Sequence, residues 1–281
     1  MYYFQITVLV LVNCMLGLCA YVPLSTGQMV MCMGSLMSVG AIGGAAAYSA
    51  AGLPFPIAVL VGGLVAVLAG VIVGTLCNKL AGFILAVVTL GLGELARVVA
   101  TNSSTLGGAL GYKNVGFIPF STYFPYLVVG FLLCVVFFVL FEKSAMRRAF
   151  TVIRENETLA VTLGINIPRH RFVSLMIGSF IAGIAGSFYI HSVGILDPKM
   201  FGFETSLLIL MYPIFGGSKT FIGPIVGAVL LTTIPEALRV SPEFRLILYG
   251  MTIVLVMLFR PEGIVAGRKL IMKLSTFGMA A

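Results

Sequence analysis

FEKSAMRRAFTVIRENETLAVTLGINIPRHRF, residues 141–172, is the one long polar run in a chain that is otherwise hydrocarbon. Lys143, Arg147, Arg148, Arg154, Arg169 and Arg171 stand there against Glu142, Glu155 and Glu157. A basic excess in a short loop between apolar spans marks the cytoplasmic side of a membrane. This run therefore sets the expected orientation of the whole molecule, and it is where a soluble partner can grip.

Composition agrees with a membrane setting. The 281 residues are 60% hydrophobic and 9% charged, with a mean hydropathy of +1.13, whereas soluble domains carry roughly a quarter charged residues. The net charge of +8 would suggest nucleic acid in a soluble protein. Here the positives gather in the central loop and in the tail (Arg260, Arg268, Lys269, Lys273), as membrane topology requires, so no nucleic-acid partner is expected. No charge precedes Lys79, so the apolar start lacks the basic leader of a secretory signal and reads as a retained span. Cys14, Cys19, Cys32, Cys77 and Cys134 lie in or beside apolar stretches without CxxC spacing, which favours buried thiols over disulfides or metal ligands.

Outward from the central loop, apolar spans are expected at Phe4–Val22, Met29–Gly52, Phe55–Leu76, Gly82–Thr101, Pro125–Phe141 and Val173–Ser192. Thr205–Pro235 is too long for one pass and is broken by Pro213, Gly216, Gly217 and Pro224. Leu246–Phe259 closes the set. If the central loop and the basic tail are both inside, the apolar segments between them cross an even number of times. Thr205–Pro235 is then two short or re-entrant passes that turn near Ser218, Lys219 and Thr220 on the inner side. The same parity puts the N-terminus outside, with Lys79 and the C-terminus inside. The expected fold is an all-α polytopic membrane protein of about nine transmembrane or re-entrant helices, with broken segments. It reads as a single transmembrane domain over 1–281, with its one long cytoplasmic loop at 142–172. Gly62, Ala66 and Gly70 echo Gly178, Ala182 and Gly186, either as an internal repeat or as the small-residue stripes common in apolar helices.

Glu94 and Arg97 are the charges inside an otherwise apolar span, with Glu94 roughly 18 Å from Gly82 in a core ~30 Å thick. Two readings stand: a pathway-lining pair, or a structural pair one turn apart. Gly216–Thr220 resembles a phosphate loop superficially, but Ser218 and Pro213 occupy positions a Walker loop needs as Gly. His170 and His191 are isolated, so metal or hydrolytic chemistry is not expected and the chain does not read as an enzyme. Asn102-Ser103-Ser104 is a formal glycosylation sequon with nothing to support its use. Ile153–Leu163 reads as one short cytoplasmic helix capped by Gly164.

The run IRENETLAVTLGIN, with the blocks that follow it, resembles the permease subunits of bacterial ABC importers for branched-chain amino acids, a family that also serves urea and short amides. The Ala-x3-Gly core of that family's coupling helix is matched by Ala160 and Gly164. TLGLGE (Thr89–Glu94), Gly216-Gly217 with Gly223-Pro224, PEALR (Pro235–Arg239), Tyr249-Gly250 and LFRPEG (Leu258–Gly263) match further blocks, so the likeness runs from about Ser25 to Gly263. After Gly27-Gln28, where the family usually shows Ser and then Gly-His, this chain has Val30, Cys32 and Met33. The loop Leu106–Tyr112 also lacks the usual proline. These departures leave the solute open.

The resemblance implies a permease subunit of the bacterial inner membrane that moves a small polar solute, with branched-chain or other hydrophobic amino acids foremost. It implies a second permease subunit, two cytoplasmic ATP-binding subunits and an extracytoplasmic solute-binding protein as partners, with no cofactor in this chain. Arg154, Glu155, Glu157, Ala160 and Gly164 are the expected ATPase-coupling residues. Gln28, Glu94, Arg97, Gly216 and Gly217 are the expected pathway residues. A urea, amide, sugar or nucleoside ABC permease, or an ion-coupled carrier using Glu94, are the alternatives.

Overall fold

The computed structural model describes residues 2–77, 80, 82–103, 108, 111–113, 116, 118, 120–237, 250–251 and 263–265. All but Gly250 and Met251 of the expected span Leu246–Phe259, and most of the C-terminal blocks, lie outside the described residues, as do Lys79 and the basic tail. Among the described residues ten α-helices follow in order: α1 (Tyr2–Leu24), α2 (Met33–Ser49), α3 (Phe55–Cys77), α4 (Gly82–Asn102), α5 (Phe120–Lys143), α6 (Ala145–Glu155), α7 (Glu157–Thr162), α8 (Ile167–Val193), α9 (Phe203–Gly216) and α10 (Ile222–Ala237). A 3-10 turn, Pro198–Phe201, precedes α9. The only strand-like feature among the described residues is an isolated bridge between Tyr112 and Leu196. The protein is all-α, and α1, α3, α4, α5 and α8 are long and apolar enough to cross a bilayer.

Small residues decide how the helices meet. Helix α8 is the central post, packed on α1, α2 and α3. A Cβ on Gly40 would strike Gly183 Cα, and one on Gly183 would strike Ala66 Cβ and the carbonyl of Gly62. Three helices thus cross where none carries a side chain of any size, which lets the backbones approach closely. The two matching stripes do different work. Gly62, Ala66 and Gly70 on α3 face Ser187, Gly183 and Ser179 of α8, whereas Gly178 and Gly186 of α8 face Cys19 on α1 and Met37 on α2. Ser187 fills the remaining gap and donates to the carbonyls of Gly40 (3.2 Å) and Gly183 (2.9 Å).

The broken segment forms as expected: α9 and α10 are two short helices joined at 217–221. Gly217 adopts φ +110°, a region open to glycine. Side chains on Gly216, Gly223 or Gly227 would enter the facing backbone, so these glycines permit the tight return. The turn lies on the same side as the central loop, because Arg147 and Arg154 of α6 reach it directly. The C-terminal end of α1 is on that side too, where Tyr21 donates to Glu142 at 3.3 Å.

One expectation fails locally. Ile153–Leu163 is not a single helix. Asn156, at φ −157° and ψ 108°, ends α6 and starts α7. Its side chain accepts the N–H of Leu159 at 3.1 Å, so the Asn acts as an N-cap and competes with helix continuation. Ser144 and Asn166 cap α6 and α8 in the same way, with Pro168 in the first turn of α8.

Candidate functional site

Two regions carry the functional candidates: a helical hairpin in the central polar loop and a polar seam among the helices.

The hairpin is α6–α7. Phe150 and Ile153 share one face of α6 and are buried. Ile153, Ala160 and Ile167 form a small core of their own. Ala160 is fully buried, so its small size serves the inside of the hairpin, not its outer surface. Glu157 holds α7 to α8 through Arg171, 2.5 Å away. Gly164 takes φ +73° with open space around it. It closes the helix in the left-handed conformation that glycine adopts without strain.

The outward side of α7 presents Leu159 at 49%, Val161 at 64% and Leu163 at 61% exposure, beside exposed Glu155. Apolar side chains in the polar loop, beyond the spans, are candidates for protein contact. Sequence reasoning passed over these three because apolar residues carry little signal in so apolar a chain.

Arg154 points elsewhere. Its guanidinium donates to the Ser218 carbonyl at 3.0 Å and to Ser218 Oγ at 2.8 Å. Arg147 donates to the Lys219 carbonyl at 2.9 Å and to Thr151 Oγ1 at 2.8 Å, and lies over the Tyr21 ring. Glu142 completes the grip by accepting the N–H of Phe221 at 2.8 Å, just ahead of α10. Partial burial, with Arg147 beside it, pulls the Arg154 pKa below its ordinary value, though a guanidinium remains cationic at neutral pH.

The seam begins after α1. Residues 25–32 leave the helical conformation, and Gly27 turns at φ +78° beside Arg154. Gln28 is buried and accepts from Ser174 Oγ at 3.0 Å. Further along, Met31 N–H donates to Thr89 Oγ1 at 3.0 Å. Ser35 donates to the Phe201 carbonyl at 2.6 Å, and Ser206 Oγ accepts the Gly34 N–H at 3.0 Å. Non-helical backbone at membrane depth persists only where protein buries it or where it lines a wet cavity. The seam joins the start of α2, the middle of α4 and the start of α9.

Glu94 stands at the far end of this seam from Gln28. Its Oε2 accepts from Arg97 Nε at 2.6 Å and its Oε1 accepts the Phe203 N–H at 2.8 Å. Both carboxylate oxygens are thus engaged, one of them at the N-terminus of α9, where negative charge is favoured. Gly216 and Gly217 are not beside this seam. They are buried at the α9–α10 return, where Val265 N–H donates to the Gly216 carbonyl and Gly263 packs on Gly217. The structure therefore joins Glu94 and Arg97 to the start of α9, leaves Gln28 with Thr26 and Ser174, and sets the two glycines apart at the α9–α10 return.

A cavity of about 600 Å³ lies between α3, α5 and α8, lined by residues such as Phe55, Leu60, Val129, Leu133 and Phe180. Its walls are almost wholly hydrocarbon, so a polar solute would lose its hydrogen bonds to water there without replacement. Among the described residues no group of His, Cys, Asp and Glu is placed to hold a metal ion.

The fold defines a polytopic α-helical membrane protein. The family of branched-chain amino acid transport system permease components matches residues 2–257, and the chain belongs to it. That is a family of transport permeases, not of enzymes. The high-affinity branched-chain amino acid transport system permease protein LivM of Escherichia coli (strain K12) is 29% identical over 281 residues, covering 89% of this chain and 66% of the relative. LivM of Salmonella typhimurium gives the same figures. LivH of Escherichia coli (strain K12), another permease protein of that name, is 29% identical over 140 residues, covering 49% of this chain and 45% of its own length. The chain thus spans just under two thirds of LivM and less than half of LivH. No solved structure matches.

Proposed function

We propose that this chain is the membrane-spanning permease subunit of an ATP-binding-cassette importer. It would carry branched-chain or other hydrophobic amino acids across a bacterial inner membrane. The family match supports the permease role, and the names of the LivM and LivH relatives support the solute class. In this reading the whole chain is one permease domain. It pairs with a second permease subunit, docks two cytoplasmic ATP-binding subunits through 142–172 and receives solute from an extracytoplasmic binding protein.

The observation that carries the docking part is the apolar patch of Leu159, Val161 and Leu163 on a hairpin outside the spans. ATP-driven closure of the ATPases would displace this hairpin and rock the bundles, so that the seam opens alternately to either side. The N-terminus then lies outside and the C-terminus inside. Purification from native membranes in mild detergent, followed by mass spectrometry, tests the assembly: a bound Walker-type ATPase is expected. A chain that emerges alone and still transports in proteoliposomes would overturn it.

A further inference from the structure

We propose that Arg147 and Arg154 are positioning residues of the transport cycle, which fasten the α6–α7 hairpin to the α9–α10 turn so that the two move as one body. The proposal rests on reading the hairpin as the ATPase-docking element.

The geometry has three parts. First, the acceptors are main-chain oxygens of Ser218 and Lys219. These carbonyls belong to the turn that joins α9 to α10. Cationic donors there make strong, directional bonds. Second, Arg154 uses two nitrogens of its planar fork, one on the Ser218 carbonyl and one on its hydroxyl. A lysine offers a single nitrogen and cannot reproduce that arrangement.

Third, the turn is tied to the rest of the bundle. Glu142, the penultimate residue of α5, holds Phe221 N–H, while Glu94 and Gly34 hold the other end of α9 through Phe203 N–H and Ser206. A push on α6 therefore reaches α9, and through α9 the seam at α2 and α4, by hydrogen bonds and a rigid helix. Neither arginine needs to touch a partner subunit for this.

The test has two readouts. In the purified chain, amide hydrogen exchange should speed up roughly tenfold in 217–223 for Arg154→Ala, with α3 and α8 unchanged. Arg154→Lys should restore little of the protection. Ser218→Ala combined with Arg154→Ala should fall short of additivity, as contacting groups do. In the assembled transporter, solute moved per ATP hydrolysed, read on the ATPase that stays bound, should drop about tenfold for Arg154→Ala paired with Arg147→Ala.

Unchanged exchange, or faster exchange with undiminished solute per ATP, would overturn the proposal. If wild-type protein retains no ATPase, the importer reading fails instead. The exchange data would then still decide whether hairpin and turn are one body.

Discussion

Glu94 Oε1 accepts the backbone N–H of Phe203 across 109 residues of sequence, at 2.8 Å. This bond makes Glu94 a cap for α9 as well as the partner of Arg97. Glutamine keeps a carbonyl oxygen for Phe203 N–H and loses only the ion pair, which is partly exposed and worth at most about 1 kcal/mol. Glu94→Gln should therefore leave uptake within about threefold of wild type, whereas Glu94→Ala should lower the thermal stability of the purified chain by roughly the 1 kcal/mol of a lost cap. Loss of uptake in Glu94→Gln with unchanged stability would return Glu94 to the solute or ion route.

Gly183 sits where α2, α3 and α8 cross, and a Cβ there meets Ala66 Cβ, Gly62 O and Gly63 Cα. Gly183→Leu should be severely destabilising, beyond the ~1–3 kcal/mol usual for overpacking, because backbone cannot give way. Gly91, with nothing within 4 Å, is the control in a neighbouring helix. Gly91→Ala should be neutral or should stabilise the isolated chain by up to about 1 kcal/mol of helix propensity. Thermal unfolding in detergent compares them. Equal midpoints would mean the crossing is looser than described.

Glu142 accepts from both Phe221 N–H and Tyr21 hydroxyl, linking α5, α10 and α1. Glu142→Gln retains an acceptor, while Glu142→Leu leaves a partly buried amide without one, at about 1–3 kcal/mol. The Leu variant should lose stability and show faster amide exchange at 221–223, and the Gln variant should change little. Similar behaviour of the two would place the Glu142 charge, not its hydrogen bonds, in the principal role.

Parts of this fold were readable in the sequence because they depend on residue type along the chain. The return near Ser218–Thr220 follows from Pro213, Gly216, Gly217 and Pro224. Its place on the same side as the central loop follows from the parity of the apolar segments. What stayed hidden depends on partners far off in sequence. Nothing in Arg154 announces that its acceptor is a carbonyl 64 positions away, and nothing in Glu94 separates a solute ligand from a helix cap. Asn156 could be read as a helix surface residue, since its capping role appears only once the backbone turns there. Ala160 was legible as a small residue that matters. That it is small because it faces Ile153 and Ile167 was not.

That last distinction yields the sharpest test of docking. A bulky residue at Ala160 would disrupt the hairpin from within, so Ala160→Trp should cost stability and ATPase retention together. Leu159, Val161 and Leu163 lie exposed on the outer surface. Val161→Asp and Leu163→Asp should therefore keep the fold of the isolated chain. If this patch is the centre of an interface, each should weaken ATPase retention at least tenfold, about 1.4 kcal/mol of binding free energy. The measurement is paired: thermal unfolding of the purified chain, and the amount of ATPase retained at graded detergent wash. Retention lost with an unchanged unfolding midpoint would assign the patch to docking. Retention unchanged in both aspartate variants would move the interface elsewhere on the hairpin and leave the patch as surface against the bilayer headgroups.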